Sequence, residues 1–129
     1  MVSTQTFGIS ELATEFDITP RAIRFYEDQG LLAPERRGSS SVRVYSARDR
    51  TRLKLTLRGK RLGLSLSEIR ELIDMYDSSK DETAQLTKFL QVLEDHRAQL
   101  IQQREDIETQ LQEIGAFEMQ CRKRLSRKT

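Results

Sequence analysis

Apolar residues recur along the first third of the chain in short bursts at helical spacing, separated by turn formers. In FGISELATEF, Ile9, Leu12, Ala13 and Phe16 fall on one side of a short helix that Ser10 is placed to cap. A second burst opens at Thr19, an N-cap residue. Pro20 follows at the first helical position, where its missing N–H costs nothing. Gly30 suits the left-handed position just after the last turn. Only Asp17, Ile18 and Thr19 separate the two helices. The unit from Ser10 to Gln29 has the layout of a helix-turn-helix.

On a helical wheel the second helix divides cleanly. Ala22, Ile23 and Tyr26 cluster on one side and are expected to pack on the first helix. Arg21, Arg24, Phe25 and Asp28 lie towards the other. Guanidiniums match phosphate oxygens and guanine edges in a bidentate manner, so this outer face points to a polyanion. The plainer alternative pairs Arg21 and Arg24 with Glu27 and Asp28 on a solvated helix.

The pattern then changes period. In LLAPERRGSSSVRVY, the turn formers Gly38, Ser39, Ser40 and Ser41 separate two extended runs, and Val42 and Val44 alternate with polar neighbours. This predicts a β-hairpin with Arg36, Arg37 and Arg43 at its tip and edges. A basic hairpin beside a helix-turn-helix reads as a wing that reaches phosphates or a minor groove. Ser46-Ala-Arg-Asp49 is a capping box with Asp in place of Glu, and a basic helix is expected from there to about Leu62, stopped by Gly63. Among its cations, Arg58, Lys60 and Arg61 are the candidates for further backbone contacts. Ser65 and Glu68 form a full capping box, with Leu64 and Ile69 at the staple positions. Ile69, Leu72, Ile73 and Tyr76 make the apolar stripe of the next helix.

After a polar break at residues 77–81, with a third capping box from Ser79 to Glu82, the period becomes seven. Leu86, Leu93, Leu100, Ile107 and Ile114 form one set; Leu90, Arg97, Arg104, Leu111 and Glu118 form the alternating set. A helix over 80–118 would be about 55 Å long. Nothing else in the chain is large enough to cover it, so the seam calls for a second copy. Arg97 and Arg104 would be costly if buried unpaired. They are expected to meet Glu94, Glu105 or Glu108 of the partner.

Charge sharpens this division. Residues 1–18 hold three acids and no Lys or Arg, and residues 19–61 hold 12 basic residues against four acids. Residues 62–118 hold 13 acids against five basic residues, and the last 11 residues carry five cations and no acid. A basic block inside a folded region suggests nucleic acid. The chain thus reads as residues 1–77, a DNA-binding domain with accessory helices; 80–118, a dimerisation helix; and 119–129, a disordered basic tail. No apolar run approaches the roughly 18 residues of a membrane span. The first 20 residues carry Glu11, Glu15 and Asp17 without a basic residue, unlike a signal peptide. A single cysteine gives no internal disulfide, which suits the cytoplasm.

Enzymatic chemistry is not expected. His96 is the only histidine and Cys121 the only cysteine, so no zinc-ligand spacing exists and no metal or cofactor is implied. His96 reads as a solvated or interhelical residue. Cys121 reads as an inert thiol, an intersubunit metal or redox role being the alternative.

FGISELATEFDITPRAIRFYEDQGLL, RVYSARDRTRL and GLSLSEIRELI, followed by the long helix, together resemble the MerR family of bacterial transcriptional regulators over residues 7 to about 118. The resemblance implies a mainly α fold: a winged helix-turn-helix with a small β-hairpin wing, two further helices, and an antiparallel coiled-coil homodimer. It implies binding to a pseudo-palindromic promoter operator. A small-molecule effector would then let the dimer distort an overlong spacer for RNA polymerase. Carried over by residue, Arg21 and Arg24 look like recognition-helix contacts, and Phe25 and Tyr26 match the aromatic pair of the family's R-[YF]-Y-E motif. Arg43 and Tyr45 match the R-x-Y of the wing, with Tyr45 reaching a phosphate. The single cysteine and the missing large C-terminal domain set the chain apart from the metal-sensing and drug-binding members. RAIRFYEDQGLLAPERRG with RLKLTLRGKRLGLSLSE is similar to the regulators of leucine and isovalerate degradation. A coiled-coil adaptor whose helix-turn-helix docks protein is the alternative from another class.

Overall fold

The computed structural model describes residues 5–78 and 81–128. The chain divides into two compact units, one up to Gln85 and one from Leu86 onward. The first opens with a two-residue strand β1 (Thr6–Phe7), then α1 (Ile9–Phe16) and α2 (Pro20–Asp28). A hairpin of β2 (Glu35–Arg37) and β3 (Val42–Ser46) follows, then α3 (Ala47–Arg61) and α4 (Leu66–Ser78). Helix α5 (Glu82–Lys128) completes the chain.

Local chemistry accounts for most of the element ends. Thr19 accepts a hydrogen bond from the Ala22 N–H at 3.1 Å, and Pro20 starts α2. Gly30 and Gly63 adopt φ of 78° and 81°, terminating α2 and α3 as left-handed residues. Both capping boxes among the described residues form. Ser46 and Asp49 exchange bonds of 3.0 and 3.1 Å, and Ser65 and Glu68 exchange bonds of 3.1 and 3.0 Å. Asp49 does more than cap: its Oδ1 also accepts the Ala33 N–H at 3.0 Å, fixing the segment between α2 and β2. The expected box from Ser79 falls on residues outside those described. Asp81 caps α5, accepting the Thr83 N–H at 3.0 Å.

The sheet has the order β1-β3-β2 and is antiparallel throughout. Thr6 faces Ser46 and Phe7 faces Tyr45 on one side of β3; Arg36 faces Arg43 on the other. The core under it comprises Leu12, Ile23, Leu31, Tyr45 and Leu53, all fully buried, with Leu64, Ile69 and Ile73 where α4 packs on α3. Gly59 permits that close packing, since a Cβ there would stand 2.7 Å from Ile69 Cγ1.

Four details differ from the sequence reading. Helix α1 is capped at Gly8, whose N–H donates to the Glu11 carboxylate at 3.1 Å; Ser10 already lies inside the helix, because Glu11 reaches back one turn. Strand β1 is too short to leave a period-two trace. Tyr76, expected on the apolar stripe of α4, is exposed. The basic segment 119–129, expected as a tail, continues α5 as helix to Lys128. It contains neither Pro nor Gly, and cations in the last turn complement the helix dipole.

Candidate nucleic-acid interface

Helix α2 buries Ile23 and Tyr26 and exposes Arg21, Arg24 and Phe25, so the two faces separate as the wheel predicts. Phe25 is half exposed, and its ring leans on Tyr26 with centroids 5.6 Å apart. That contact orients the aromatic without burying it. Tyr26 itself, a candidate contact from the sequence, belongs to the core: only 9% of it remains accessible. Among the described residues, Arg21 and Arg24 have no acidic partner and no hydrogen bond. The self-paired alternative therefore does not occur: Glu27 is engaged elsewhere, and exposed Asp28 pairs with neither arginine.

Glu27 faces the hairpin. Arg43 Nε donates to Glu27 Oε2 at 2.8 Å, and an Arg36 Nη lies 3.5 Å from Oε1. The Tyr45 hydroxyl approaches the same carboxylate at 3.5 Å. One acid on the helix thus gathers two hairpin arginines, which strand register alone would set against each other as a like-charge pair. The guanidinium of Arg43 is raised above its ordinary value by this bond. Tyr45 is fully buried; burial first and the Glu27 charge second push its phenol up to about 12. Its place as a phosphate contact is accordingly corrected: Tyr45 braces the hairpin from inside. Arg37 pairs with Glu35 along its own strand at 2.9 Å, and both remain exposed.

The cations of α3 divide in two. Arg50 forms a two-pronged bond with Glu15 and lies over the rings of Phe7 and Phe16 at 5.8 and 5.9 Å. Arg48 donates to Asp77 at 2.7 Å. Arg52 is buried, donates to the Leu31 carbonyl at 2.6 Å, and pairs with Asp77 and, at 3.5 Å, with Asp74. These three hold the fold together. Arg58, Lys60 and Arg61 are exposed in the last turn, and none has an acidic partner among the described residues. They sit about 20 Å along α3 from the hairpin base. The structure therefore joins Arg36 and Arg43 to α2 through Glu27, and sets Arg58, Lys60 and Arg61 apart.

Sequence reading missed Glu27, Arg52 and Gly59. A recoverable signal existed for Asp49, since the shorter acid in a capping box leaves an oxygen for a second donor. None existed for Arg52, which looks like its solvated neighbours until the fold places Asp77 beside it.

In the second unit most heptad residues are exposed in the single chain. Leu86, Leu90, Leu100, Ile107, Leu111 and Ile114 each keep about half of their surface in solvent, as do Phe117, Met119 and Leu125. Arg97 and Arg104 lie on the same rod, exposed. Cys121 is a free, exposed thiol. No group of three or more His, Cys, Asp or Glu side chains is assembled for a metal among the described residues.

With this geometry established, comparison with known proteins is specific. The chain matches the family model described as MerR HTH family regulatory protein over residues 7–76, and that described as MerR, DNA binding over residues 50–117. It is 37% identical over 82 residues to the HTH-type transcriptional regulator ZntR of Escherichia coli K12, covering 64% of this chain and 58% of that one. It is 31% identical over 81 residues to the regulator CueR of Salmonella typhi, covering 63% and 59%. The chain thus spans under three fifths of either curated relative. Among solved structures, a MerR family regulator from Bacillus cereus superposes with a TM-score of 0.64 at 31% identity, over 83% of this chain and 75% of that one. HiNmlR, a MerR family regulator lacking the sensor domain and bound to promoter DNA, has a TM-score of 0.57 at 21% identity over 81% and 80%, a likeness of fold.

Proposed function

The chain belongs to the MerR family of helix-turn-helix regulatory proteins, and on that premise we propose that it binds a pseudo-palindromic promoter operator as a homodimer and distorts the spacer in response to an effector. One observation carries this reading. Arg21 and Arg24 stand exposed and unpaired on α2 while Glu27 is engaged by the hairpin. Free guanidiniums beside an exposed aromatic are suited to phosphates and guanine edges. Arg36, Arg37 and Arg43 extend the positive surface onto the hairpin, which acts as the wing. Arg58, Lys60 and Arg61 supply backbone contacts further along α3.

The exposed heptads of α5 support the dimer, because a run of half-exposed apolar residues is a poor surface to leave in water. Antiparallel pairing suits it better than parallel. Parallel helices would set Arg97 against Arg97 and Arg104 against Arg104 in the seam, whereas reversal removes that like-charge contact. The regulated genes are assigned to branched-chain amino-acid or acyl-CoA catabolism on the resemblance noted above, with a small molecule as effector.

The test is duplex binding by the purified chain across a salt series, with footprinting at the promoter beside its own gene. Affinity should fall steeply with salt as counterions are released. Arg24→Ala should cost on the order of 1–3 kcal/mol of operator binding. Unchanged affinity in that variant would remove the assignment of α2 as the reading helix; a dimer with no duplex preference would favour an adaptor instead.

A further inference from the structure

The hairpin tip carries a pattern that its turn does not require. Residues 35–42 are exposed throughout, from β2 across Gly38, Ser39, Ser40 and Ser41. Arg36 and Arg37 stand three and two residues before Ser39. Polar residues of any kind would close such a turn. Two adjacent arginines at that distance from a serine form a charge pattern that protein kinases read when carboxylates line their substrate groove. Such a groove takes its substrate as extended chain.

The fold presents this segment well. In the order β1-β3-β2 the strand β2 lies at an edge, so Glu35–Arg37 is already extended with one side unpaired. A Cβ at Gly38 would meet nothing within 4 Å, so the tip stands in open space. The hydroxyls of Ser39 and Ser40 have no hydrogen-bond partner among the described residues. The ion pairs that must open are exposed ones: Arg37 with Glu35, and Arg36 with Glu27 at 3.5 Å. Two serines elsewhere also follow a cation by three residues, and both are unsuited. Ser46 follows Arg43, but its hydroxyl caps α3. Ser126 follows Lys123 and Arg124, but it lies within helix α5.

We propose that Ser39 is a phosphorylation site for a Ser/Thr protein kinase with an acidic substrate groove, and that the phosphate releases the hairpin from DNA. The second half rests on the function proposed above. In the transfer, Ser39 Oγ attacks the γ-phosphorus of a nucleoside triphosphate. The Oγ–P bond forms as the bond from that phosphorus to the β–γ bridging oxygen breaks. The nucleoside diphosphate leaves, and the hydroxyl proton passes to a carboxylate of the kinase. Residues 35–43 hold three arginines against Glu35, a net charge of +2. A phosphoserine brings about −1.5 to −2, which cancels it. Its oxygens also offer Arg36 and Arg37 a bidentate partner in place of a DNA phosphate.

The test treats the full chain with MgATP and a kinase selective for Arg-Arg-x-Ser, read by intact mass and fragmentation. Ser39 should take one phosphate. Its rate should lie within about tenfold of that of a free peptide spanning residues 33–43, because only exposed ion pairs must open. Ser39→Ala should abolish the modification, and Arg37→Gln should slow it. Phosphate placed first on Ser40, Ser126 or any other residue, or a folded chain left unlabelled, would overturn the site. The phosphorylated chain should bind operator duplex on the order of tenfold more weakly than the parent, with a salt slope shallower by roughly one to two per hairpin. Ser39→Ala put through the same treatment should bind as the untreated parent does. A parent that ignores every duplex removes the proposed function and with it the DNA half, while the mass result decides the site on its own. A parent that binds, with its phosphorylated form equally tight, overturns the switch alone.

Discussion

Arg43 on the hairpin donates to Glu27 on α2 at 2.8 Å, and this contact couples the two parts of the proposed DNA surface. Both side chains are largely covered, so the bond is shielded from solvent more than a surface pair would be. Glu27→Ala should destabilise the chain by roughly 1–3 kcal/mol in urea unfolding, since Arg43 and the Tyr45 hydroxyl lose their acceptor. Its effect on DNA should run in two directions. Removing a negative charge beside Arg36 and Arg43 raises affinity for random duplex and steepens the salt dependence. Preference for operator over random sequence should fall, because the hairpin is no longer held to the helix. A variant with unchanged stability and unchanged preference would show that the joint contributes nothing.

Tyr45 carries a pH consequence. Burial, with Glu27 second, raises its phenol to about 12, above its ordinary value near 10. The folded state therefore holds this proton more tightly than the unfolded chain. The stability linked to it is intact below pH 10 and is lost as pH rises towards 12. In an alkaline absorbance titration, Tyr45 should ionise late, together with unfolding. Tyr45→Phe should abolish the late step. A parent titration identical to that of Tyr45→Phe apart from amplitude, with no late step, would contradict the burial.

Two arginines of similar appearance in sequence should behave oppositely. Arg24 is exposed and unpartnered, whereas Arg52 is buried and ties Leu31, Asp74 and Asp77 to α3. Arg24→Ala should leave the unfolding midpoint within about 0.5 kcal/mol of the parent, as surface substitutions do. Arg52→Ala should cost roughly 2–4 kcal/mol, because it strands the buried Leu31 carbonyl, leaves Asp77 to Arg48 alone and empties a buried site. Parallel urea titrations decide the matter, and equal effects would erase the distinction between reading and bracing residues.

Acid should weaken the same bracket. Burial pushes the Asp77 carboxyl up, but hydrogen bonds from Arg48 and the charge of Arg52 outweigh it and leave the group below the ordinary carboxylate range. A depressed carboxylate contributes stability that is present above about pH 4 and is lost as pH falls through its folded value. The stability gap between parent and Asp77→Asn should be largest near neutrality and should close below pH 4. A gap independent of pH would mean that the Asp77 charge is not what the arginines hold.

Helix ends were the most legible part of this chain. Thr19-Pro20, Ser46 to Asp49, Ser65 to Glu68, Gly30 and Gly63 act locally, and local chemistry is written in adjacent residues. The faces of α2 were legible for the same reason, since Ile23 and Arg24 differ in burial as their wheel positions demand. What could not be read was long-range. Tyr45 and Arg43 share one motif, yet one turns into the core and the other onto Glu27, 16 residues earlier. Of the basic run on α3, Arg48, Arg50 and Arg52 are taken by acids 22 to 35 residues away, and no periodicity marks them.

Gly59 tests how tightly that long-range packing is set. Within α3 a glycine weakens the helix by about 1 kcal/mol relative to alanine, so on propensity alone Gly59→Ala should stabilise. The packing argues the reverse. The added methyl would stand 2.7 Å from Ile69 Cγ1 and 3.0 Å from Cδ1, with Ile69 itself almost fully buried between α3 and α4. Overpacking of this kind costs roughly 1–3 kcal/mol, enough to cancel or exceed the propensity gain. The variant should therefore be neutral to destabilised, and Ile69→Val, which removes the Cδ1 methyl, should cost less in the Gly59→Ala background than in the parent. A stabilised Gly59→Ala with additive Ile69→Val would show that α4 yields freely and that Gly59 is there for some reason other than the close approach of the two helices.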